Sequence, residues 1–231
     1  MPLFHDQKLV FIHIPKNAGK SVEEAFLGKN APALGRRTRL SSASKYLLTL
    51  VSPKAARVHL IGSLDYTFAA QHMTLHEMES LGLLIGCEHY RVFAVIRNPF
   101  ERIVSSVFLH YHAAIVRGAL PADTPDDFER LLAAWLDHVP RDHNQIAHRR
   151  TQTEFVYARR RKLADVTLLR QERLQEDFAN FAKVEGLQGI SLPWLGKGAR
   201  KNSYRDYHND RTRRVVESVF GEDLENFRYV F

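Results

Sequence analysis

The chain has 231 residues, 45% of them apolar, and its 33 lysines and arginines against 26 acidic residues give a formal charge of +7. That length and apolar share predict one domain, residues 1–231, with a substantial core, and the charge points to anionic partners. A single cysteine, Cys87, excludes an internal disulfide framework, MPLFHDQKLVFIHI does not read as a signal peptide, and no apolar run approaches the roughly 20 residues that cross a bilayer, so the reducing cytoplasm is the expected location.

The first element is residues 8–14, KLVFIHI, whose β-branched and aromatic content predicts a buried parallel strand. A loop over 15–19 follows, and KSVEEAFLG reads as a helix closed by Gly28. Residues 29–45 are polar and basic; YLLTLV reads as a short helix, ARVHLIG as a second strand, and 66–84 as mainly helical. YRVFAVIR is a further strand. Pro99 suits the first turn of the helix behind it, which carries Ile103, Val104, Val107, Phe108 and Tyr111 at helical spacing. PDDFERLLAAWLDHV has acidic residues in its first turn and apolar ones every three to four positions, a helix pattern. DVTLLRQERLQEDFANFAKVEGL repeats the passage from strand to helix, and a glycine-rich basic segment precedes the final amphipathic helix, RTRRVVESVFGEDL. Strands alternating with helices predict an α/β fold with a mainly parallel central sheet flanked by helices.

The chemistry is concentrated in FIHIPKNAGKSVEEAF, residues 11–26. It ends its loop in Gly19-Lys20-Ser21, the tail of a nucleotide-binding Walker A motif, but Ile14 stands where that motif has its first glycine. A magnesium-dependent kinase or nucleoside triphosphatase also needs a carboxylate at a second strand end to hold the ion. The clearest candidate strands end instead in Arg97 and Arg170, and only Asp65 could be made to fit. Phosphate-loop amides and an arginine on a neighbouring strand end suit a ligand with two separate anionic groups and no metal. His110 and His112, two apart, fall on different helix faces, so a zinc site is not expected. Neither an RNA-binding aromatic pattern nor a zinc-finger spacing accompanies the charge, so nucleic acid is not an expected partner.

These residues resemble the sulfotransferases that use 3'-phosphoadenosine 5'-phosphosulfate, and the carbohydrate branch (sulfotransferase family 2 type) more than the cytosolic small-molecule branch. HIPKNAGKS is similar to the family's 5'-phosphosulfate loop; RNPFERIVSSVF, an arginine followed eight residues later by a serine, is similar to its 3'-phosphate element. The ending, RKNSYRDYHNDRTRRVVESVFGEDLENFRY, resembles the family's basic loop, helix and aromatic close, so the likeness spans nearly the whole chain. The resemblance implies a P-loop-like three-layer fold and sulfuryl transfer to a hydroxyl of a carbohydrate or glycoconjugate, with no metal required. A compact form without a Golgi-type anchor suggests a bacterial enzyme.

Roles follow residue by residue. Lys16, directly after Pro15, is expected at the oxygen that bridges to the leaving 5'-phosphate, where charge grows in the transition state. The amides of Asn17, Ala18, Gly19 and Lys20 and the Ser21 hydroxyl are expected on the 5'-phosphate, with Lys20 as helper or bystander. Arg97 and Ser105 are expected on the 3'-phosphate, and the resemblance adds Arg200 and Lys201 as closing over it or the adenine. An acceptor hydroxyl must lose its proton, and histidine suits that task near neutrality. His72, in AAQHMTLHEM, resembles the family's base, although Gln71 stands where relatives have glycine. His76, Glu77 and Glu79 are the alternatives, and His13 is expected to pack beside the site. Gln152 and Thr153, in RTQTEFV, and Arg170 are candidates for contact with the acceptor.

Overall fold

The computed structural model describes residues 3–27, 47, 51, 72–140, 143–158, 163–193 and 202–231. In chain order its elements are β1 (Leu3–Phe4), β2 (Leu9–Ile12), α1 (Gly19–Leu27), α2 (Leu75–Ser80), β3 (Arg91–Ile96) and α3 (Pro99–His110). Then come α4 (His112–Val116), α5 (Pro125–Asp137), α6 (His143–Arg149), α7 (Gln152–Val156), β4 (Val166–Arg170), α8 (Leu174–Val184) and α9 (Asp210–Phe227). The architecture is mixed α/β with a mainly parallel sheet flanked by helices, in the order β1-β2-β3-β4. The chain divides into two compact units, one of residues 1–96 and 154–195, the other of residues 97–153 and 196–231. Among the described residues no helix is long and apolar enough to cross a membrane.

The first unit carries the sheet. β2 runs parallel to β3 with Val10 opposite Val92, and β3 parallel to β4 with Ile96 opposite Arg170. Because side chains alternate along a strand, Leu9 and Phe11 of β2 share a face with Phe93 and Val95 of β3. That face meets Val22 of α1 and Phe178, Phe181 and Ala182 of α8 in one apolar cluster. Phe11 and Phe93 stack with centroids 4.9 Å apart. Each phenylalanine removed from water there contributes about 1.5–3 kcal/mol.

Three local features depart from the sequence expectation. The first strand stops at Ile12 rather than residue 14, since the Ile14 amide turns back onto the Ile12 carbonyl, 3.1 Å away. Leu3–Phe4 adds an antiparallel edge, with Lys8 left-handed (φ 54°) in the turn before β2. The helix expected over 66–84 is confined, among the described residues, to Leu75–Ser80. Thr74 starts it with a capping box closed by Glu77, and Gly82 at φ 67° lies just beyond its end. The strand expected at ARVHLIG lies outside the described residues.

The second unit is helical. Asn98 caps α3, its side-chain oxygen accepting from the Phe100 amide at 3.0 Å, and Pro99 occupies the first turn. Phe100, Ile103, Val104 and Val107 of α3 pack with Phe128, Leu132 and Trp135 of α5 and with Val216 and Phe220 of α9.

Candidate active site

Between β2 and α1 the chain makes a tight loop from His13 to Ala18. Lys16 (φ 69°) and Ala18 (φ 56°) are both left-handed although neither is glycine. Each such residue costs about 1–3 kcal/mol and persists only where its surroundings hold it. The holding contacts are visible: the buried Asn17 amide side chain donates to the Val95 carbonyl of β3 at 2.8 Å, and the Ser21 amide donates to Ala18 at 2.9 Å. Left-handed residues alternating with others turn successive amides inward into a concave, anion-binding nest. The Asn17 amide itself closes onto the Ile14 carbonyl at 3.4 Å, so of the four amides expected on a phosphate this one is engaged within the loop. Gly19 and Lys20 open α1, where first-turn amides have no acceptor inside the helix. Pro15 is buried, Lys16 and Ser21 are half-buried, and Lys20 is exposed.

Gly19 is required by close approach. A Cβ built on it would lie 2.1 Å from His13 Nε2. His13 is buried, as expected, and its Nδ1 lies 2.5 Å from Glu23 Oε1 on α1. His72 packs edge-on against the His13 ring at 84°, centroids 4.7 Å apart. His72 Nδ1 lies 3.0 Å from the His13 carbonyl oxygen. A carbonyl can only accept, so Nδ1 carries the proton and the neutral ring has its lone pair on Nε2. Of the alternative bases, Glu77 is committed to the α2 cap, its Oε2 accepting from the Thr74 amide at 2.8 Å. His76 Nε2 lies 3.4 Å from Ser80 Oγ on the same helix, and Glu79 lines a separate cavity of about 450 Å³ with Glu88 and Asp165. Glu23 was missed by sequence reasoning. The available signal was a carboxylate one turn past Gly19 on the helix that the loop feeds.

In the second unit, Arg97 follows β3 directly and is 5% exposed. Its Nη2 donates to Glu101 Oε1 at 2.6 Å, so the guanidinium already holds one carboxylate. The Arg97 backbone is clasped by the Gln152 side chain: Oε1 accepts from the Arg97 amide and Nε2 donates to the Arg97 carbonyl, both at 2.8 Å. Gln152 and Asp223 are both 0% exposed. The Asp223 carboxylate takes the Gln152 and Thr153 amides at 2.8 Å each and the Thr153 hydroxyl at 3.0 Å, capping α7. Gln152 and Thr153 were expected to face the acceptor. The Gln152 side chain holds the Arg97 backbone, and the Thr153 hydroxyl donates to Asp223 and accepts from Asn226 Nδ2 at 3.2 Å.

Ser105 is half-buried on α3, two helical turns after Arg97. Arg170 ends β4 half-buried, its amide donating to Asp177 Oδ2 at 2.7 Å. Arg200 and Lys201 lie outside the described residues.

A sequence model of the sulfotransferase family matches residues 3–230. No curated protein and no solved structure matches the chain significantly. The match runs from β1 to the residues after α9 and takes in both the strained loop after β2 and the arginine after β3; the chain belongs to the sulfotransferase family.

Proposed function

We propose that the chain moves a sulfuryl group from 3'-phosphoadenosine 5'-phosphosulfate to a hydroxyl of a carbohydrate or glycoconjugate. The acceptor oxygen attacks sulfur in line with the bond to the 5'-phosphate. The new S–O bond forms as the old one breaks, and the products are a sulfate ester and adenosine 3',5'-bisphosphate. The hydroxyl proton passes to His72 Nε2, the ring atom that the His13 carbonyl leaves as acceptor. Lys16 meets the charge that grows on the leaving phosphate, an interaction stronger in the transition state than before it. The amides of Ala18, Gly19 and Lys20 and the Ser21 hydroxyl hold the 5'-phosphate, Arg97 and Ser105 the 3'-phosphate, and Arg200 and Lys201 cover the nucleotide. Arg170, cationic at the end of β4, is offered to an acidic acceptor.

The observation that carries this reading is the loop after β2, where Lys16 is held left-handed three residues after His13, whose backbone carbonyl sets the His72 tautomer. Thermal denaturation with ligands tests it. A ligand that binds only the folded state raises the melting temperature. Adenosine 3',5'-bisphosphate with chelator present is expected to stabilise the protein, and ATP with magnesium is not. The opposite pattern would point to the kinase or triphosphatase chemistry and end this proposal.

A further inference from the structure

Glu23 has no part in the chemistry above, yet it is 3% exposed, and its Oε1 lies 2.5 Å from His13 Nδ1. Burying a carboxylate is costly unless it is well bonded, so the pair has to repay that cost somewhere. Contacts with Glu23, Gly19 and His72 are among those that fix the His13 ring. Glu23 holds Nδ1, the Nε2 edge rests on Gly19 at the start of α1, and the edge of His72 abuts the ring. The backbone of the same residue presents the carbonyl that accepts the His72 proton.

We propose that the Glu23–His13 pair is a positioning device that sets the phosphate loop and the base together. Glu23 accepts the Nδ1 proton of His13 and so fixes the ring plane. The ring then sets how closely Gly19, and with it the first-turn amides of α1, can approach. Through its carbonyl, His13 holds His72 with the proton on Nδ1 and the lone pair on Nε2. Displacement of the loop is thereby transmitted to the protonation geometry of His72. This inference rests on the reading of the loop as a phosphate cradle and of His72 as base, and its test separates the two.

The test combines ¹⁵N NMR of the imidazole nitrogens with titration of adenosine 3',5'-bisphosphate, on the full chain and on Glu23→Leu and Glu23→Gln. In the unsubstituted protein above the histidine pKa, His72 is expected as the Nδ1–H tautomer. In Glu23→Leu the His72 signals are expected to move toward the Nε2–H tautomer that dominates in free histidine, with affinity for the bisphosphate about tenfold weaker, the loss of one hydrogen bond to a charged group. Glu23→Gln keeps the side-chain shape and an acceptor, so both changes are expected in the same direction and smaller; this variant decides the matter if Glu23→Leu does not fold. A merely structural role lowers the melting temperature alone. A folded Glu23 variant with the unsubstituted tautomer and affinity overturns the inference. If the unsubstituted protein itself fails to bind the bisphosphate, the proposed function fails, and the tautomer measurement still decides whether the pair sets His72.

Discussion

Replacing Gly19 with alanine puts a Cβ 2.1 Å from His13 Nε2 and 2.2 Å from Cδ2, where ordinary contact begins near 3.4 Å, so the ring must recede by about 1.3 Å. It has no room to do so at constant bonding, because Nδ1 is 2.5 Å from Glu23 and the ring is abutted by His72. Overpacking of this kind costs about 1–3 kcal/mol, and loss of the charged hydrogen bond adds about 1.5–3 kcal/mol. Taking about 3 kcal/mol together, and about 2–4 °C per kcal/mol for a chain of this length, the melting temperature should fall by about 6–12 °C. The assay is thermal denaturation of Gly19→Ala, His13→Ala and the double variant, each with and without adenosine 3',5'-bisphosphate. Since the clash needs both partners, the double variant should be no less stable than His13→Ala alone. If Gly19→Ala melts with the unsubstituted protein and is stabilised equally by the nucleotide, the reasoning about this loop is wrong.

Lys16→Ala should lower turnover by about 10²–10³, as loss of one preorganised donor at developing charge does, while changing nucleotide affinity far less; steady-state kinetics with separate binding measurements would show the split. Asp223→Ala removes the acceptor of the buried Gln152 and Thr153 amides, and at about 1–3 kcal/mol for each group left unsatisfied the urea midpoint should fall sharply. His208 has its pKa lowered by burial, against a hydrogen bond to the Phe100 carbonyl that raises it and the Arg213 charge that lowers it further. The fold therefore favours neutral His208. Its contribution is complete above the unfolded value near 6.5 and is lost as pH falls through that value toward the folded one, the unfolded chain binding the extra proton. Urea midpoints across this window should fall toward acid, and His208→Gln should flatten that slope.

How much of this was legible beforehand differs by element. β3 was readable because Val92, Phe93, Ala94, Val95 and Ile96 are buried on both faces, which forces a continuous apolar run. The strained loop after β2 drew notice because Pro15, Lys16, Gly19 and Ser21 stand there at the spacing of the family motif. α3 and α5 announced themselves through Pro99 and through the acidic first turn of PDDFERLLAAWLDHV. The clasp on Arg97 was not legible. Gln152 and Asp223 are 71 residues apart, and no local pattern says that a carboxylate on the last helix caps α7. The Glu23–His13 pair was hidden for a related reason: an acidic residue in an amphipathic helix reads as solvated until the turn of the loop brings a ring against it. The expected helix over 66–84 overreached because its apolar spacing continues past Gly82, where the backbone goes left-handed.

The claim on which the rest depends is that the donor is recognised by its 3'-phosphate as well as its 5' end, without a metal. The most direct measurement is the ratio of affinities for adenosine 3',5'-bisphosphate and adenosine 5'-monophosphate, by calorimetry with chelator present, in the unsubstituted protein and in Arg97→Ala. The account predicts a strong preference for the bisphosphate that Arg97→Ala largely removes while leaving monophosphate affinity nearly unchanged. Equal affinity for the two nucleotides in the unsubstituted protein, or a preference that survives the loss of Arg97, would contradict it.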